Sequence, residues 1–404
     1  MNKESFLESG HTPTLVAAFL YFDVAFMIWV LLGPLGVGIA KDLGLSHAEK
    51  GLMVATPVLA GAILRLVMGV LVDRLSPRKA AIIGQVVVIT ALAVAWWHGI
   101  HSFAGTLVLG AFLGVAGASF AAALPLASRW YPPQHQGKAM GIAGAGNSGT
   151  ALAALFAPSL AAAFGWTNVF GLALIPLVLV LGAFAAMAKD APDAPPPKTI
   201  AQYLQVLRDS DAWWFMFFYS VTFGGFVGLS SSLVIYFNTQ YGLDARTAGF
   251  FTAACVFAGS AVRPLGGFIA DRIGGVRALS VVYVVAAVFL VLVSFGLPSP
   301  WLALAGFAGA MLSLGTGNGA VFQLVPQRFR KEIGVMTGLV GAAGGVGGFY
   351  LASSLGYSRE LTGSYQTGFL IFAALAVLAL VGLTGVKSRW RTTWGAAHLI
   401  GARI

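Results

Sequence analysis

Charge is scarce in this chain. Asp, Glu, Lys and Arg make up 9% of its 404 residues, and hydrophobic residues make up 58%. Soluble domains carry about 25% charged residues, so a water-soluble surface is excluded and the chain reads as a polytopic membrane protein. Cysteine is nearly absent: Cys255 stands alone in an apolar run, which excludes an intrachain disulfide and offers no metal site. No histidine lies well inside a predicted span, and no nucleophile–base pair or metal-ligand cluster stands out, so neither an enzyme active site nor a cofactor is expected. Acids are outnumbered by bases, 14 to 24, for a net charge of +10. In a soluble protein that excess would suggest nucleic acid, but here the bases follow a membrane topology. The opening MNKESFLESGHTPT is too acidic for a signal peptide and is expected to be a cytoplasmic tail.

What is present is length and apolarity. Twelve apolar segments, near 14–40, 47–74, 79–99, 103–130, 137–164, 166–188, 210–240, 245–273, 277–297, 300–328, 333–357 and 364–388, are long enough to span a bilayer. Eighteen Lys and Arg fall in the termini and the loops on their side, against four in the opposite loops. The positive-inside rule therefore predicts a multi-pass protein of the cell (inner) membrane with both termini cytoplasmic. KDAPDAPPPKT, residues 189–199, reads as a stiff linker. Ile200, Tyr203, Leu204 and Leu207 then recur with helical spacing, predicting a short helix on the membrane surface. The predicted domains are a six-helix half over 1–188, a linker over 189–209, and a second half over 210–404 whose KSRWRTTW (387–394) is an interfacial anchor.

One stretch occurs twice. GAILRLVMGVLVDR (61–74) and GSAVRPLGGFIADR (259–272) align at a shift of 198, matching Arg65 to Arg263, Asp73 to Asp271 and Arg74 to Arg272. Each inner arginine lies eight residues inside its helix end, roughly 12 Å deep at about 1.5 Å per residue. Both sit near the midplane, where a charge marks a functional site by default. Two cations, one per half, point to an anion. Gly114, Pro125 and Arg129 also match Gly315, Pro326 and Arg330, so the halves are related by an axis along the membrane normal, the arrangement of major facilitators.

Spans five and eleven each hold a glycine run: Gly141, Gly144 and Gly146 beside Asn147, and Gly338, Gly341, Gly344 and Gly345. Close helix packing accounts for small residues at this spacing. Asn147 needs more, because a buried amide requires a partner or a ligand. Asp23 in the first span has the same reckoned depth as the arginines. It reads either as a fixed partner of Arg65 or as a carboxylate that releases an arginine when the anion arrives and takes a proton.

The loop GVLVDRLSPRKA resembles the superfamily's G-x-L-a-D-R-x-G-R-K, with Ser76 and Pro77 in place of Gly-Arg, and makes Asp73, Arg74, Asp271 and Arg272 gating or structural residues. Together with the paired arginines, the two glycine signatures and GTGNGAVFQLVPQRF of span ten, the chain resembles the nitrate/nitrite porter family of the major facilitator superfamily over essentially all twelve spans. The resemblance implies an all-α fold of twelve helices in two pseudo-symmetric halves. It implies that Arg65 and Arg263 grip a small inorganic anion, with Asn147 beside it, Phe120 of span four against it, and Tyr219 and Phe223 of span seven completing the pocket. Without it, Phe120 and Phe223 read as ordinary core or lipid aromatics. Gly344 stands where the first signature has Asn147, so the second signature is expected to slide rather than bind.

A planar guanidinium fork suits nitrate or nitrite. Family members that exchange the two anions are expected to lack a titratable acid along the pathway, so Asp23 points to proton-coupled import. Nitrate/nitrite antiport, or carriage of another small anion, stays open. The expected partners are the anion, protons and the bilayer, with the chain acting as a monomer.

Overall fold

In lipid, every backbone N–H and C=O must be satisfied within the segment, so long apolar runs become helices. The computed structural model of the chain describes residues 6, 8–192, 200–329 and 332–394. Lys3, the proline cluster at 193–199, Arg330, Lys331 and Arg403 lie outside the described residues. The first half comprises α1 (Thr12–Trp29), α2 (Leu32–Leu43), α3 (His47–Arg74), α4 (Pro77–His98), α5 (Phe103–Gly117), α6 (Phe120–Ser128), α7 (Pro133–Gly144), α8 (Gly149–Phe164) and α9 (Trp166–Met187). A short helix, α10 (Ile200–Val206), precedes the second half. That half comprises α11 (Ser210–Tyr241), α12 (Ala245–Ala261), α13 (Arg263–Ile273), α14 (Gly275–Ser294), α15 (Pro300–Arg328), α16 (Ile333–Thr362) and α17 (Gln366–Thr392). Among the described residues, eleven stretches are long and apolar enough to cross a membrane. The twelfth long helix, the 29-residue α15, carries Ser313, Thr316, Asn318 and Gln323, which lower its hydropathy.

Four expected spans are interrupted, each for a local reason. Pro34 has no N–H to give, and the chain tightens between α1 and α2, where Gly33 N bonds Val30 O at 2.9 Å. Pro264 similarly starts α13 after the break at Val262. Between α5 and α6, Ala121 N bonds Ala118 O at 3.0 Å instead of Gly117 O. Span five passes through a 3₁₀ turn, Ala145–Ser148, between α7 and α8. Mid-helix 3₁₀ turns commonly mark functional sites.

The halves touch at the end of the bundle away from the termini. Backbones there meet closely enough that a Cβ at Gly33 would lie 2.3 Å from Ser231 O, at Gly249 2.5 Å from Ala154 O, and at Gly51 2.8 Å from Gly356 Cα. Glu360 of α16 accepts from the first amides of α3, His47 N at 2.8 Å and Ala48 N at 3.3 Å, so a carboxylate from one half caps a helix of the other. Toward the terminal end the halves diverge: Gly141, Gly334 and Gly338 face open space. There each half is tied within itself. Asp211 accepts from Arg328 Nε (2.8 Å), Trp390 Nε1 (2.7 Å) and Arg389, joining α11 to α15 and α17. Asp73 pairs with Arg129 at 3.8 Å, and Arg272 lies over Phe268 with its Cζ 4.1 Å from the ring centre. Ser76 holds φ at 153°, a positive value glycine takes freely, and its hydroxyl caps Lys79 N at 3.3 Å.

Candidate anion site

The site is built around Arg65, which is 1% exposed. The irregular turn after α5 leaves the Gly117 carbonyl free, and Arg65 Nε donates to it at 3.0 Å. Arg65 Nη1 reaches across to the other half and donates to Gly341 O on α16. Four rings surround the guanidinium: Trp29 and Phe223 at 5.1 Å from Cζ, Phe120 at 5.4 Å and Phe26 at 5.9 Å. Cation–π attraction and two carbonyls thus replace the hydration lost on burial.

Glycine places those rings. Trp29 slots between α3 and α5, where a Cβ on Gly61 or Gly117 would meet its indole at 2.8 and 2.3 Å, and Trp29 Nε1 donates to Pro57 O at 2.7 Å. The corresponding Gly259 makes room for Phe226 at 3.0 Å in the second half. Trp29, Phe26 and Phe226 were not singled out from sequence, although the repeat shift, carried to Trp29, lands within a residue of Phe226.

Arg263 stands at the start of α13 and is half-buried. Its Nη2 donates to Tyr219 Oη at 3.1 Å, and its Cζ is 6.0 Å from the Phe223 ring. Phe223 therefore contacts both guanidiniums. Tyr219 stacks on it, with centroids 5.1 Å apart and planes 3° from parallel. Phe322 of α15 meets Tyr219 edge-on at 5.0 Å and Phe120 at 6.1 Å. Arg65 Nη2, Arg263 Nη1 and both amide atoms of the buried Asn147 have no hydrogen-bond partner. Among the described residues, no carboxylate pairs with either arginine. The structure thus brings Arg65, Arg263, Phe120, Tyr219 and Phe223 together, with free donors on both cations.

Contrary to the sequence-based expectation, Asp23 holds neither arginine. Its Oδ1 lies 2.7 Å from the Ser148 hydroxyl in the 3₁₀ turn. Its main chain presses on span five, where a Cβ on Gly146 would lie 2.8 Å from Asp23 N and one on Gly149 only 1.8 Å from Asp23 O. The reason is azimuth. Trp29, six residues on, faces Arg65, and at about 100° per residue Asp23 is turned about 120° from it.

The glycine signatures also divide. Gly345 meets α3, where a Cβ would lie 2.7 Å from Ala62 Cβ. Gly344 is not at a sliding surface: a Cβ there would lie 2.8 Å from the rings of Tyr219 and Phe223. Gly341 is in ordinary contact range of Arg65 and Phe120 at 3.5 Å, and Gly144 has only Leu124 at 4.0 Å. Gly141 and Gly338 touch nothing in this arrangement because they lie where the halves part.

Two like halves, closed on each other at one end and parted at the other, with a cation from each between them, buried in one half and half-buried in the other, define a membrane carrier of the alternating-access type. The chain matches the model of the Major Facilitator Superfamily over residues 17–352. It is 35% identical over 381 residues to the probable nitrate/nitrite transporter NarK2 of Mycobacterium tuberculosis, covering 92% of this chain and 95% of that one. It is 33% identical to the nitrite extrusion protein of Bacillus subtilis, covering 88% and 89%. A bacterial homologue of the human lysosomal transporter Spinster, in an inward-facing and occupied conformation, shares the fold with a TM-score of 0.67 at 18% identity, over 93% of this chain and 96% of that one. The chain belongs to the nitrate/nitrite porter family of the Major Facilitator Superfamily.

Proposed function

We propose that this protein is a secondary active transporter of nitrate, and of nitrite, that works by alternating access and imports nitrate together with protons. One observation carries the substrate: Arg65 and Arg263 both contact Phe223, each keeps an unpartnered terminal nitrogen, and among the described residues no carboxylate neutralises either. Nitrate is a planar monovalent oxyanion. Two guanidinium forks from opposite halves can bind its oxygens in the plane of the anion while the aromatic faces exclude water. Asn147, with a free amide N–H, is the third donor. Gly341 O takes one of the two N–H groups of Arg65 Nη1, so an anion on the other N–H and on Nη2 shares its cation with the contact between α3 and α16. The open end is the terminal end, which the distribution of Lys and Arg assigns to the cytoplasm, so the arrangement is inward-facing.

Proton coupling rests on Asp23. The Ser148 hydroxyl lies 2.7 Å from Asp23 Oδ1 and 2.9 Å from Ala145 O, two acceptors for one proton. A protonated Asp23 resolves the competition: the acid donates to Ser148 Oγ, and Ser148 donates to Ala145 O. A carboxyl poised to carry a proton thus bonds the 3₁₀ turn that holds Asn147, so proton and anion load through one element. The decisive experiment is transport in proteoliposomes with pH and anion gradients imposed separately. Proton-driven import requires labelled nitrate to accumulate when only the pH differs across the membrane. Exchange for internal nitrite, indifferent to pH, would establish antiport instead. Failure of any nitrate movement, with another small anion carried, would displace the substrate reading.

A further inference from the structure

Asn318 in α15 is 0% exposed, and neither its Oδ1 nor its Nδ2 has a partner, the same condition as Asn147. Such a side chain is destabilising where it stands, whereas an apolar one of similar shape is neutral or favourable. Its surroundings lead to Arg263 by two routes. Next along the helix, Gly319 lies against the first turn of α13: a Cβ there would be 2.3 Å from Arg263 O and 2.5 Å from Gly267 N. One turn further along the same stripe, Phe322 rests edge-on against Tyr219 at 5.0 Å, and Tyr219 Oη accepts from Arg263 Nη2 at 3.1 Å. Asn318 therefore adjoins a residue in backbone contact with Arg263 and lies one turn from a ring in contact with its phenol partner. Arg263 Nη1 is itself unpartnered.

We propose that Asn318 is the positioning residue of Arg263: in the loaded site its Oδ1 accepts one N–H of Arg263 Nη1, leaving the other N–H aimed at the anion. The inference rests on the anion-carrier reading and explains the residue type. An amide oxygen orients a guanidinium without cancelling its charge, whereas a carboxylate would neutralise the cation and repel the anion. The other titratable groups of the neighbouring helices are engaged or distant. Tyr283 of α14 donates to Phe218 O at 3.0 Å, Cys255 of α12 lies 3.7 Å from Leu304 O, and α16 has no titratable residue between Ile333 and Phe349. Arg65 approaches from the other half, held by Gly117 and Gly341.

The test is nitrate binding to the full-length protein in nanodiscs, followed from pH 8 to pH 5, with melting temperature measured without nitrate. Asn318→Leu should weaken nitrate about tenfold, the loss of one hydrogen bond to a charged group, without lowering the melting temperature. Asn318→Asp should bind at least about tenfold more weakly than the parent at pH 8, and the gap should close as the pH falls and the new carboxyl is protonated, over and above the change Asp23 gives to parent and variant alike. Unchanged nitrate affinity in Asn318→Leu overturns the proposal, as does a lowered melting temperature, which would make Asn318 structural. A pH-independent loss in Asn318→Asp also overturns it. Should the Asp variant not fold, the Leu variant decides. A parent protein that binds no nitrate at all refutes the substrate reading, not the role of Asn318.

Discussion

Replacing Arg65 by lysine keeps the charge and removes the fork. The arginine uses Nε for Gly117 O at 3.0 Å and Nη1 for Gly341 O, and still has Nη2 free, all inside a cage of four rings. An ammonium has three donors on one nitrogen and cannot place them on two carbonyls from different helices and an anion at once. At least one charge-assisted bond is lost, worth about 1.5–3 kcal/mol, or about 10- to 150-fold in nitrate affinity. The Gly117 carbonyl, already released from its own helix, would also be left without its partner. Arg263 is half-buried and has a single partner, Tyr219, which an ammonium can still reach. Arg263→Lys should therefore cost less, about tenfold. Equilibrium nitrate binding in nanodiscs and counterflow of labelled nitrate in proteoliposomes measure both variants. An Arg65→Lys protein that binds within threefold of the parent refutes direct coordination through the fork. A larger loss at Arg263 than at Arg65 refutes the asymmetry.

Asp23→Asn should abolish nitrate accumulation driven by pH alone while nitrate–nitrate exchange survives; accumulation that persists assigns coupling elsewhere. Gly345→Leu should slow exchange by at least about tenfold, because its side chain would strike Ala62 and Val58 where α16 crosses α3, an overpacking cost of about 1–3 kcal/mol. Gly338→Leu faces open space in this arrangement, so it should leave binding from the terminal side intact and impair exchange by blocking closure at that end. Equal binding losses in both glycine variants, read by the same nitrate titration, would contradict this division. Glu360→Ala removes the bonds that tie the start of α3 to α16, while Ser46 still caps the helix, and should shift the carrier toward opening at the end away from the termini by about 1.5–3 kcal/mol or less. Thiol labelling at Ser232→Cys in a Cys255→Ala background should then quicken severalfold, and an unchanged rate would show that Glu360 does not hold the gate.

The sequence was most informative where a property is local or periodic. Apolar length predicts twelve spans, and the helices occur where they were expected, because lipid offers the backbone no alternative partners. Duplication at a constant shift pairs Arg65 with Arg263. The interruptions were less legible: Pro34 and Pro264 mark theirs, but nothing in VAGASFAA announces the irregular turn that frees the Gly117 carbonyl. Glycine-rich runs indicate close approach without saying to what. Gly344 turned out to make room for an aromatic pair, Gly345 to touch the other half, and Gly338 to touch nothing.

By itself, the sequence determined a twelve-helix membrane carrier with one intramembrane cation in each half, since composition, span length and internal repeat are read along one dimension. Depth is also a one-dimensional quantity, and it set Asp23 level with Arg65. Only the tertiary structure decided that the two do not meet. Rotation about α1 turns Trp29 toward Arg65 and Asp23 toward Ser148, and the bend at the 3₁₀ turn brings that hydroxyl within 2.7 Å. Arg65 also owes its coordination to carbonyls 52 and 276 residues away in the chain. Backbone groups of that kind carry no residue-type signature, so only packing could bring them to the cation.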